Sequence, residues 1–71
     1  IVNIGDFEDI KDNETIDPIF LEKNGYIKSS MKPVKILGNG EISKRITVSA
    51  SAFSASAKDK IEKAGGETII L

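Results

Sequence analysis

Lys35, Lys44 and Arg45 flank the glycine-rich stretch Gly38-Asn39-Gly40 at the ends of two strand-like runs, and their types and spacing suit one kind of chemistry. Clustered Lys and Arg side chains neutralise phosphates and release condensed counterions, so that chemistry is contact with a nucleic-acid backbone. Solvated charges at strand ends account for the same three residues without any ligand. Nothing beside them provides base stacking. The aromatic residues are Phe7, Phe20, Tyr26 and Phe53, and Phe20 and Phe53 lie in apolar contexts that suit a core.

Other constellations fall away on their own geometry. Gly38-Asn39-Gly40-Glu41-Ile42-Ser43 resembles the start of a dinucleotide fingerprint, but the third glycine is missing and a strand follows instead of a helix. A turn that needs positive φ explains it better. The acidic stretch from Asp6 to Asp17 lacks the central glycine and terminal glutamate of a calcium loop and reads as a solvated loop. Ser49, Ser51, Ser54 and Ser56 have no His or nearby Lys placed to activate them, and Ser54 is explained as a helix cap. The chain has no His and no Cys, which removes the commonest general base, thiolate metal sites and disulfides. We expect no catalytic residue, no metal and no cofactor.

These residues need elements to position them. Val2 and Ile4 alternate with Asn3 as a short strand ended by Gly5-Asp6, and the acidic stretch to Glu14 has no helical period. Asp17 as N-cap, Pro18 at the first helical position and Ile16 against Leu21 start a helix of about two turns. Asn24-Gly25 ends it, with Tyr26 covering Leu21. So short a helix depends on burying Phe20, Leu21 and Ile27. Pro33 biases Lys32 toward extended geometry, and Val34, Ile36 and Leu37 follow as a strand. Gly38-Asn39-Gly40 is expected to reverse the chain. Ile46, Val48 and Ala50 then alternate with Thr47, Ser49 and Ser51. Ser54 caps a second helix whose Ala57, Ile61 and Ala64 form one apolar stripe, Gly65-Gly66 ends it, and Thr68 to Leu71 is a last strand. The expected fold is a small mixed α/β layered domain in the order strand, helix, strand, strand, helix, strand.

A chain of 71 residues makes one small domain, 1–71, and chains of this size bury only about 60% of their unfolded surface. No apolar run approaches the roughly 20 residues of a membrane-spanning helix. The net charge of −1 argues against a free-standing nucleic-acid binder, yet the charge is unevenly spread. Residues 1–22 carry seven acids and only Lys11, net −6. Residues 23–45 carry Lys23, Lys28, Lys32, Lys35, Lys44 and Arg45 against Glu41, net +5, and residues 46–71 balance. One acidic and one basic face are expected.

The run Lys35-Ile36-Leu37-Gly38-Asn39-Gly40-Glu41-Ile42, followed by Ile46-Thr47-Val48, Phe53-Ser54, Ala57, Ile61 and Gly65, resembles the C-terminal signature of the bacterial-type large-subunit ribosomal protein L fifteen family. The match runs over about thirty positions without a gap, and Val2 to Asp6 and Lys58 to Gly66 extend it. The resemblance implies a structural constituent of the large ribosomal subunit that binds ribosomal RNA, supports subunit assembly, and works in the cytoplasmic ribosome beside neighbouring ribosomal proteins. It implies no enzymatic activity, no membrane and no small-molecule substrate. Lys35, Asn39, Lys44, Arg45 and Lys58 are the RNA-contact candidates; Gly38, Gly40, Ser54 and Gly65 are the structural turn and cap positions. The family's long basic N-terminal arm is not in this sequence, and the chain starts at Ile1 within a strand-like run, so a C-terminal fragment is expected. The family is also more basic where this chain has Ser49 and Ser51. A reading from another class is a protein–protein module that pairs through a strand edge such as Thr68 to Leu71.

Overall fold

Val2 and Asn3 begin as strand β1 (Val2–Asn3), but the chain then winds into a single 3-10 turn over Ile4–Phe7 instead of running on extended. In the computed structural model, which describes residues 1–71, this turn puts Ile4 and Phe7 three residues apart on one side, and both are fully buried. The Asp6 carboxylate accepts the Asn3 N–H at 3.1 Å and holds the turn. The acidic stretch is therefore not wholly solvated: Phe7 is among the largest fully buried side chains, and Ile10 is also in the core. A two-residue strand, β2 (Thr15–Ile16), follows unannounced by any periodicity, with Ile16 fully buried.

Helix α1 (Pro18–Lys23) has the expected ends. Asp17 accepts the Phe20 N–H at 2.7 Å. At the other end Gly25 N–H donates to Glu22 O and Tyr26 N–H to Leu21 O, the paired bonds of a Schellman ending. Helix α2 (Ala55–Lys63) repeats the design: Ser54 Oγ accepts the Ala57 N–H at 3.1 Å, Gly65 N–H donates to Glu62 O, and Gly66 N–H donates to Ile61 O. Gly65 takes φ +88°, the left-handed step this ending requires. Ala57 and Ile61 are fully buried, so the narrow apolar stripe is the face that packs.

The strands β3 (Lys35–Leu37), β4 (Thr47–Ala50), β5 (Ala52–Phe53) and β6 (Glu67–Ile70) complete two three-stranded sheets, ordered β1-β3-β5 and β2-β4-β6. Every pairing is parallel, with Val2 opposite Ile36, Ile36 opposite Phe53, Ile16 opposite Val48 and Val48 opposite Thr68. This corrects the expected reversal at Gly38-Asn39-Gly40. The strands on either side, β3 and β4, lie in different sheets, so the turn closes no hairpin. The physical reason lies in β4: Val48, Ser49 and Ala50 are buried in succession, as in a strand covered on both faces, and such strands pair in parallel through crossovers.

Ser51 is the joint between the sheets. Its N–H and that of Ala52 both donate to Val34 O, and its hydroxyl accepts the Val34 N–H at 3.1 Å. The chain thus leaves one sheet at Ala50 and enters the other at Ala52. Thirteen apolar side chains make one continuous core, with Phe20, Tyr26, Ile27, Ile42 and Phe53 packed half-buried at its rim.

Candidate nucleic-acid interface

The loop after β3 is fixed by backbone contacts on one side and a helix on the other. Gly40 has φ +99°, and a Cβ there would lie 2.6 Å from the Cα of Gly5. Only glycine satisfies both conditions. Gly5 N–H donates to Asn39 O at 3.0 Å, which ties the loop to the 3-10 turn. Gly38 does not take positive φ; its constraint is proximity, because a Cβ would run into Ser56 and lie 2.8 Å from the Ala57 nitrogen.

Lys60 closes the arrangement. It follows Ser56 by four residues, so both side chains sit on the face of α2 that runs along the loop. Its ammonium donates to Gly38 O at 3.0 Å, to Gly40 O at 2.8 Å and to Glu41 Oε2 at 3.1 Å. Three donors meet three acceptors. The Asn39 side chain is left exposed on a loop whose backbone is held from both sides.

The five RNA-contact candidates are not gathered in one place. Lys44 and Arg45 are adjacent, and both reach the acidic segment. Lys44 Nζ donates to Glu8 O at 2.6 Å. Arg45 N–H donates to Asp12 Oδ1 at 2.7 Å, its guanidinium to Asp12 Oδ2 at 3.1 Å, and its carbonyl accepts the Asn13 N–H at 2.7 Å. The Arg45 backbone and guanidinium bonds hold the Asp12 carboxyl below its ordinary 3.8. Lys35 stands elsewhere, opposite Ala52 at the start of β3, and Lys58 is exposed on the first turn of α2; neither takes part in an ion pair. The guanidinium of Arg45 is still 62% exposed, so its bond to Asp12 does not hide it.

Lys60 and Asp12 carry no signal in the sequence that marks them for these roles. Their partners are loop carbonyls and a strand-end backbone N–H, 19 to 33 residues away along the chain. Spacing within one helix or loop does not encode such bonds. The helical period that aligns Lys60 with Ser56 is the one available hint.

Held loops, a small parallel core and cations dispersed around the surface describe a scaffold domain that presents side chains from fixed backbone. Residues 1–69 match the profile of the ribosomal protein family that comprises 50S-L15, 50S-L18e and their 60S counterpart, and the chain belongs to that family. It is similar to the large ribosomal subunit protein uL15 of Prochlorococcus marinus (strain MIT 9313), with 44% identity over 71 residues, 100% of this chain and 47% of that protein. The protein of the same name from Synechococcus sp. (strain CC9311) gives the same figures. That from Synechococcus sp. (strain CC9902) is 46% identical over 67 residues, covering 93% of this chain and 44% of its own. The chain thus spans about half the length of the curated relatives it matches.

Proposed function

We propose that this chain is the globular C-terminal domain of a structural constituent of the large ribosomal subunit. It binds large-subunit ribosomal RNA beside neighbouring ribosomal proteins, supports subunit assembly in the cytoplasm, and catalyses no reaction. The observation that carries this reading is the family match over residues 1–69, together with 44% identity along the whole chain to proteins named for the large subunit. The other half of the protein supplies a basic arm on the N-terminal side, which reconciles an RNA-binding role with a net charge of −1 here. Lys35, Asn39 and Lys58 contact RNA directly; Lys44 and Arg45 do so while also holding Glu8 and Asp12.

Sucrose-gradient sedimentation of cell extracts containing the full-length tagged protein tests the reading. The tag is expected in the large-subunit peak and to persist there through a moderate-salt wash. A tag that stays at the top of the gradient overturns it. One observation favours the second reading, a strand-pairing module: β6 is an edge strand, with Ile70 71% exposed. Replacing Thr68 with Pro removes an edge N–H and would abolish partner capture in that case, while sedimentation with large subunits would be indifferent to it.

A further inference from the structure

Between α1 and β3 the chain runs from Lys23 to Gly40 without one acidic residue, and Lys23, Lys28, Lys32 and Lys35 lie along it. None of these four is in an ion pair; the ion pairs of the domain are Arg45–Asp12, Lys60–Glu41 and Lys63–Asp59. The segment is anchored at both ends. Tyr26 N–H donates to Leu21 O at one end, and Val34 exchanges bonds with Ser51 and Ala52 at the other. Between these anchors lies a groove of about 270 Å³, walled by Lys28, Ser29 and Lys32 over an apolar floor of Tyr26, Ile27 and Pro33. Tyr26 is fixed there by an edge-to-face contact with the buried Phe7 ring, centroids 5.8 Å apart.

The surface has three other concavities, and each mixes signs. One holds Glu41 with Lys60 and Lys63, one holds Asp9 and Glu14 with Lys11, and one holds Glu67 with Arg45. Only the Tyr26–Val34 groove is lined by cations with no carboxylate. Lysines without a carboxylate partner favour an anion, and an extended groove between two of them favours a chain of anions over a single one.

We infer that this groove binds the phosphodiester backbone of large-subunit RNA, with Lys28 and Lys32 contacting successive phosphates and the Tyr26–Pro33 floor carrying the ribose between them. The inference rests on the proposed ribosomal role and moves the main phosphate contact of this domain away from Lys44 and Arg45. The contact is sequence-independent, because the groove has no donor and acceptor pattern for a base edge.

The test uses the full-length protein and an in vitro transcript of large-subunit ribosomal RNA, with affinity measured across salt concentrations. Neutralising both lysines as Lys28→Gln/Lys32→Gln is expected to make the slope of log K against log salt shallower by roughly 1.4, about 0.7 per single-stranded phosphate contact. Lys28→Arg/Lys32→Arg is expected to keep the parental slope. Lys11→Gln/Lys63→Gln, which removes the same charge outside the groove, is expected to leave it unchanged. A groove variant with the parental slope overturns the inference while leaving the ribosomal role intact, and so does a control variant whose slope falls equally. A groove variant that keeps its RNA slope but loses a co-purifying ribosomal protein shows a protein-binding groove and also overturns it. A parent protein that does not bind the transcript at any salt overturns the proposed function and this inference with it.

Discussion

The loops on the two sides of β3 use their polar groups in opposite ways. After the strand, Gly38–Glu41 is bonded on every side: Gly5 takes the Asn39 carbonyl, Lys60 takes those of Gly38 and Gly40, and Glu41 closes on the same ammonium. Before the strand, Lys28 and Lys32 have no carboxylate partner, and the side-chain bond between Lys28 and Pro33 is the short one from Met31 N–H to Ser29 Oγ. One loop is part of the fold. The other is a surface that the fold holds out. Similar residue types thus serve stability in one place and recognition in the other, and what separates them is whether an internal acceptor lies within reach.

The largest effect that would break this comparison is at Gly40. A valine there meets both a disfavoured φ of +99° and a backbone approach of 2.6 Å to Gly5 Cα. Strain and overpacking together are expected to cost roughly 3 kcal/mol or more, enough to leave so small a domain largely unfolded. Urea titration followed by circular dichroism measures it. A Gly40→Val protein with the parental midpoint would mean that the loop is not locked.

Next is Lys60→Met, which keeps the apolar stem and removes the ammonium. Two loop carbonyls lose a donor, and a loss of about 1–2 kcal/mol is expected, with little of it from Glu41, whose side chain is 87% exposed. Hydrogen exchange at the Gly5 amide should quicken, since its acceptor is Asn39 O. Unchanged exchange would show that Gly5 holds the loop without Lys60. Ser54→Ala is expected to cost about 1 kcal/mol by uncapping the end of α2 that meets Gly38, and an unaltered melt would contradict the cap.

The helices, and the half of the site built on them, are legible in the sequence because their signals are local. Asp17-Pro18, Asn24-Gly25-Tyr26, Ser54 and Gly65 each act within five residues, and each makes the bond its type announces. The final strand begins one residue before the expected Thr68, and Gly40, not Gly38, has the positive φ. Pairing is not legible. β2 and β5 are two residues long and present no period, and the glycine turn that suggests a hairpin joins strands of different sheets. Val2 and Ile4 alternate like strand residues, and nothing local announces the 3-10 turn that buries Ile4 together with Phe7. Charge misleads for the same reason. Lys44 and Arg45 look free in the sequence, but their acceptors Glu8 and Asp12 lie 36 and 33 residues away in the chain.

That long-range pair has a pH signature smaller than the effects above. Arg45 stabilises the ionised Asp12 carboxylate in the folded chain, so the unfolded chain binds the proton more readily. Stability from this pair is therefore complete above the ordinary value of 3.8 and is lost as pH falls through the lower folded value. Thermal melts from neutral pH to about pH 2 should show a shallower acid limb for Asp12→Asn than for the parent. Identical limbs would mean that the Arg45 bonds do not form in solution.

The smallest expected effect is the one that sharpens the contrast most. Lys28→Gln/Lys32→Gln should change folding stability by no more than about 0.5 kcal/mol, because the lost charges have no carboxylate partner and sit on the surface. Neutralisation removes mutual repulsion along an acid-free run, so even a slight gain in stability is in keeping with the reading. The same pair is expected to alter RNA binding, which gives a large functional change with almost no folding change. Lys60→Met is the reverse case, with a folding penalty and an RNA effect that follows only from loosening Asn39. Paired urea titrations of the two variants decide between them. A loss above about 1 kcal/mol in the Lys28/Lys32 variant would place those lysines in the fold alongside Lys60, and the division between a bonded loop and a presented one would fail.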